Sequence, residues 1–113
     1  MAFISEDVAD VRVIHLIGAL DVRSAVQLRN ELGRVTSAPS DRVLLDLSDV
    51  PSVDGSGVGV LVAAQRRATR VGARFALADP HARVADTLRR TGSDRIIDIH
   101  PSVNTGTSAL MSA

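Results

Sequence analysis

The chain contains no cysteine, no tryptophan and no tyrosine, and its only aromatic residues are Phe3 and Phe75. Without cysteine there is no disulfide framework, no thiolate nucleophile and no cysteine metal site. Two isolated phenylalanines give no platform for stacking nucleic-acid bases. There is also no charge excess: Lys+Arg and Asp+Glu balance at 13 each, so no global field draws in nucleic acid or an anionic membrane. No apolar run approaches membrane-spanning length, and Met1 to Asp7 lacks the basic-then-apolar layout of a signal peptide. His15, His81 and His100 lie far apart without ligand spacing, so no metal is expected, and no cofactor motif stands out. These absences read as a cytoplasmic protein with no direct contact with nucleic acid and no membrane insertion.

What is present is 113 residues, 45% of them hydrophobic, which fits one domain over residues 1–113. Phe3 and Ile4 predict a short edge strand, with Glu6 to Asp10 as the turn out of it. Val11 to Ile17, rich in β-branched residues, predicts a second strand, broken in its apolar run by Arg12 and His15. These two strands form a hairpin. Ser24 to Gln27 matches a capping box that opens a helix over about residues 24–36. Val43 to Leu47 is almost continuously apolar, as in a strand covered on both faces.

A second helix is expected from about Gly55 to Val71, stopped by Gly72. Arg74 to Ala78 gives another strand. Asp79-Pro80 reads as an N-cap and first helical position of a third helix that ends near Thr91-Gly92. Ile96 to Ile99 is the last short strand. The tail from about residue 102 is expected to fray or to form a short helix over Ala109 to Met111. The resulting fold is α/β with right-handed crossovers. Parallel strands before Asp21, Asp54 and Asp79 would gather those aspartates at the carboxyl edge of the sheet, where such folds place their sites.

The most informative stretch is Val53-Asp54-Gly55-Ser56-Gly57-Val58. Asp54 is a good N-cap, and Gly55 and Gly57 clear side chains from around the Ser56 hydroxyl. Ser56 then sits at a helix N-terminus, where a phosphate meets free N–H groups and the helix dipole. The plain alternatives are a solvent-facing serine, an Asp54 that only caps, and an Asp21 that only satisfies its own turn. A serine hydrolase using Ser56 and His81 is disfavoured, because the nucleophile elbow needs glycine where Asp54 and Val58 stand. Gly55, Gly57 and Gly59 also fail the dinucleotide spacing. Arg66, Arg67 and Arg70 form either a solvated helix face or the rim of a partner surface.

Gly18-Ala19-Leu20-Asp21, Leu45-Asp46-Leu47-Ser48, Asp54-Gly55-Ser56-Gly57-Val58-Gly59-Val60-Leu61, and Thr91-Gly92 with Ile96-Ile97 together resemble the STAS domains of bacterial anti-sigma-factor antagonists. The resemblance covers nearly the whole chain. It implies the STAS fold: a single mixed β-sheet of about five strands, largely parallel after an N-terminal hairpin, packed with three to four α-helices.

It also implies partner switching in transcription regulation and the stress response. The unphosphorylated protein binds an anti-sigma factor with serine kinase activity and releases a sigma factor. Phosphorylation of Ser56 ends that binding, and a phosphatase resets it. Asp21, Asp54, Gly55, Gly57 and Val58 would be the partner-binding residues, and the protein would not be an enzyme. Many members of the family carry a second Ser or Thr before the acceptor; here Gly55 leaves Ser56 as the one hydroxyl between Asp54 and Gly57. The alternative is a non-switching STAS subunit of a stress-signalling scaffold or a lipid-transport complex.

Overall fold

The computed structural model describes residues 1–112; Ala113, the last residue of the expected domain, lies outside them. In chain order the elements are β1 (Ala2–Val8), β2 (Val11–Ile17), α1 (Val22–Val35), β3 (Arg42–Asp49), α2 (Gly55–Val71), β4 (Arg74–Ala78), α3 (Ala82–Arg90), β5 (Asp98–His100) and α4 (Val103–Met111). The five strands form one sheet in sequential order. β1 pairs antiparallel with β2, and every later neighbour is parallel. This is the expected mixed sheet with its N-terminal hairpin.

The alternation of side chains along a strand divides the core into two layers. On one face Ile14, Leu16, Val43, Leu45, Leu47, Phe75 and Leu77 are buried with the apolar stripes of α1, α2 and α3. On the other, Val11, Val13, Leu44, Ala76 and Ala78 are buried with Leu110 of α4. β3 is therefore apolar on both faces, as its sequence predicts. α2 runs from Gly55 to Val71 and ends at Gly72, whose φ of 81° is the left-handed cap that glycine accepts without strain.

Several boundaries differ from the sequence expectation for identifiable reasons. Glu6 and Asp7 continue β1 to Val8, because an edge strand tolerates charge on its open sides: Glu6 meets His15, and Asp7 approaches Arg12. The turn shrinks to Ala9 and Asp10, with Ala9 at a φ of 54°. Asp79 also adopts a left-handed φ, 53°, while its amide donates to the His100 carbonyl. It cannot cap a helix in that conformation, so α3 starts after His81, which makes no side-chain cap. Ser93–Arg95 forms a 3-10 turn that buries Ile97 ahead of a strand beginning at Asp98.

The tail is a full helix from Val103. Ser102 accepts from the Thr105 amide in a capping box, and Gly106 lies so close over Leu44 that a Cβ there would fall 2.7 Å from a leucine methyl. Among the described residues no helix is long and apolar enough to cross a membrane.

Candidate functional site

The carboxyl ends of β2 and β3 converge. Beyond the strands proper, Leu20 and Val53 form one parallel bridge. Leu20 donates to the Ser52 carbonyl at 2.9 Å, and the Asp54 amide donates to the Leu20 carbonyl at 3.0 Å. This stitching sets the starts of α1 and α2 side by side, with Asp21 and Asp54 as their N-caps. Asp79 follows β4 at the same edge but caps nothing.

Asp21 Oδ1 accepts from the Arg23 amide at 2.9 Å and the Ser24 amide at 3.2 Å. In return, Ser24 Oγ accepts from the Asp21 amide at 3.0 Å and donates to the Ala19 carbonyl at 2.9 Å. The box is thus shifted three residues towards the N-terminus from the sequence expectation: Asp21 is the cap, Ser24 is the residue that reaches back, and Gln27 lies outside it. The Ser24 amide, followed by the Arg23 amide, holds the Asp21 carboxyl below its usual range. A depressed carboxyl stabilises the fold above its unfolded value, and that contribution is lost as pH falls through the lower folded value.

Asp54 Oδ1 accepts from the Gly57 amide at 3.0 Å, and its carbonyl accepts from Val58. Of the donors at the start of α2, the amides of Gly55 and Ser56 are left without intrahelical partners. Ser56 occupies the second helical position and is exposed, as are Gly55 and Gly59. A Cβ at either of these glycines would meet nothing within 4 Å. Gly57 behaves differently: it is buried, packed against Leu20 and Val53. The space around the Ser56 hydroxyl is therefore opened by Gly55 and Gly59, and Gly57 serves the close approach of α2 to the β2–α1 loop. Val58 is half-buried and packs against the core.

Replacing Asp54 with alanine removes a side-chain cap and is expected to lower stability by about 1 kcal/mol. Urea unfolding followed by circular dichroism measures it, as a lower midpoint at an unchanged slope.

Farther along α2, Arg67 and Arg70 join Arg29 of α1 around a cavity of about 170 Å³ between the helices. Arg66, Arg67 and Arg70 are exposed, in keeping with a solvated face. In sequence His15 is a break in the apolar run of β2 and one of three scattered histidines. In the structure its two ring nitrogens meet Asp46 and Glu6. The clue lay in two polar residues, His15 and Asp46, interrupting apolar strands that turn out to be neighbours in register.

The STAS domain family matches residues 3–106 of the chain. A protein of Thermotoga neapolitana, provisionally named an anti-sigma factor antagonist, is 39% identical over 64 residues, and that match covers 57% of this chain and 57% of the relative. The chain thus spans a little over half the length of that curated relative. The crystal structure of a Thermotoga maritima protein given the same provisional name superposes with a TM-score of 0.88 at 25% identity, covering 97% of this chain and 95% of that one. The Bacillus cell-fate determinant SpoIIAA, solved in its phosphorylated form, shares the fold with a TM-score of 0.71 at 20% identity, covering 96% and 99% of the two chains.

Proposed function

The chain belongs to the STAS domain family, and from that premise we propose that it is an anti-sigma factor antagonist working by partner switching. Unphosphorylated, it binds an anti-sigma factor that is also a serine kinase, so that a sigma factor is released. Phosphate on Ser56 ends the binding, and a phosphatase restores it. The role is regulatory and places the protein in the cytoplasm beside the transcription machinery.

The observation that carries this reading is the exposed Ser56 at the second position of α2, with open glycines on its outer side. A kinase can reach such a hydroxyl, and a partner can lie flat against it. The sequential strand order supports a protein partner over a small ligand. α1, α2 and α3 pack on one face, and among the described residues the sheet has no point where its order reverses. Among the described residues the carboxyl edge thus lacks the order reversal that opens a small-ligand crevice in doubly wound sheets.

The contact surface in this proposal is Asp21, Asp54, Gly55 and Val58 around Ser56, with Gly57 fixing the backbone beneath it. A phosphoserine adds nearly two negative charges there, beside the two carboxylate caps already present. The free Gly55 and Ser56 amides give the phosphate some stabilisation within its own helix, but not the desolvation that a protein partner would demand.

Incubation with ATP, magnesium and the serine kinases of the same organism, followed by intact-mass spectrometry, tests the proposal. One added phosphate, absent from Ser56→Ala, is the expected result. No phosphate with any kinase would favour the non-switching subunit of a larger assembly.

A further inference from the structure

On the sheet face that carries α4, one cross-strand row runs Ile4, His15, Asp46, Ala78, His100 from β1 to β5. His15 Nδ1 lies 2.6 Å from Asp46 Oδ2, and Nε2 lies 2.9 Å from Glu6 Oε1. We propose that His15 is a proton-operated clasp. Protonated on both ring nitrogens, it holds Glu6 of β1 and Asp46 of β3 at once; losing one proton as pH rises, it releases Glu6 and loosens the edge strand.

The chemistry follows from counting donors. Ionised carboxylates only accept, and both ring nitrogens can donate only in the imidazolium. The hydrogen bond to Glu6 and then that to Asp46 raise the His15 pKa above its ordinary value, against a smaller opposing effect of burial. Burial pushes the Asp46 carboxyl up, but the hydrogen bonds from His15 and the Ser48 amide outweigh it and leave it below its usual range. Each shift therefore favours the charged form of its group.

Exposure decides which carboxylate is released. The Asp46 side chain is 9% exposed and that of Glu6 56%. Water readily replaces the ring at Glu6, whereas Asp46 Oδ2, if abandoned, would lose its donor in a buried place. The single N–H of the neutral ring thus stays at Nδ1 with Asp46, and the bare Nε2 turns a lone pair towards Glu6. Asp46 Oδ1 continues to accept from the Ser48 amide at 3.0 Å.

The surroundings offer no competing partner among the described residues. α4, the helix on this face, carries no titratable side chain from Val103 to Met111. His100 is separated from Asp46 by Ala78 in the row. Asp7 and Arg12, on the opposite sheet face by alternation, are directed at each other. With a raised imidazole, the clasp is complete below the ordinary histidine range and lost as pH rises through the folded-state value.

NMR on the full chain tests this with two readouts, the titration of the His15 ring and the hydrogen exchange of β1 amides corrected for intrinsic rates. Glu6→Gln, on the exposed edge, removes the charge and leaves an amide that can accept from the protonated ring or donate to the neutral one; His15→Gln removes the ring. The wild-type ring is expected to titrate above the ordinary imidazole range and at a lower pH in Glu6→Gln. Exchange in β1 should accelerate across the wild-type titration by the ratio of the His15 acid constant with β1 released to that with β1 held, with no such step in either variant. An unmoved His15 titration in Glu6→Gln, or a β1 step that persists in it, would overturn the clasp.

Discussion

Gly57→Ala is expected to destabilise the protein by about 3 kcal/mol or more. Its new Cβ would fall 2.6 Å from Leu20 Cγ, 2.7 Å from the Leu20 carbonyl oxygen and 3.1 Å from Val53 Cγ1. A leucine tip can swing aside, but the Leu20 carbonyl is fixed by the Asp54 amide, and Leu20 is itself bridged to Val53. The start of α2 would have to lift from the loop that begins α1. Gly59 supplies the internal control: with nothing within 4 Å of its Cβ, Gly59→Ala should stabilise by roughly 0.5–1 kcal/mol, the usual gain from removing a helical glycine. Denaturant unfolding of both variants reads the contrast directly. Helix propensity favours alanine at both positions, so opposite signs isolate the contact. Equal and small effects would mean that α2 and the β2–α1 loop are not held together as described.

Ser56→Glu is expected to weaken binding to the partner kinase by about a hundredfold, close to 2.8 kcal/mol at about 1.4 kcal/mol per decade, while Ser56→Ala binds like the wild type. The substituted carboxylate would sit at the exposed second position of α2 beside the Asp54 cap, and the Asp21 cap opens the neighbouring helix. Closing a protein surface over it removes water from three carboxylates together. Before contact, much of that repulsion is screened, since the Debye length is about 10 Å at 0.1 M salt; the penalty belongs to the closed complex and should appear as faster dissociation. Calorimetry and surface-immobilised kinetics without ATP would measure both. Tight binding by the Glu variant would count against the switch.

The sequence is most legible where one residue's own chemistry sets the boundary. Asp54 and Gly72 bound α2 through a side-chain acceptor and a left-handed glycine, and both could be read without any tertiary knowledge. The boundaries that moved were decided by distant partners. Asp21 and Ser24 are both competent caps; the bridge from Leu20 to Val53 fixes the chain as far as Leu20 and leaves Asp21 as the first free residue. Asp79 resembles a cap until its amide is drawn to His100. Gly106 has low helix propensity, yet it is the close contact that lets α4 lie on Leu44. At the site, the exposure of Ser56 was legible, but the division of labour among the three glycines was not, because it depends on what lies beneath the helix. The Glu6–His15–Asp46 cluster needed the strand register as well.

The placement of α4 bears on how the molecule comes into being during synthesis. All five strands and the three helices of one face precede Val103 in the chain, and because each strand pairs with its predecessor, the sheet needs no later segment to be inserted between earlier ones. Among the described residues the opposite face is covered by α4, so Val11, Val13, Leu44, Ala76 and Ala78 wait for Leu110 and Gly106. A ribosome-bound chain that has emerged as far as Pro101 presents that apolar face to the cell, so the interval before Val103–Met111 docks is when the nascent protein most needs a chaperone and most easily aggregates.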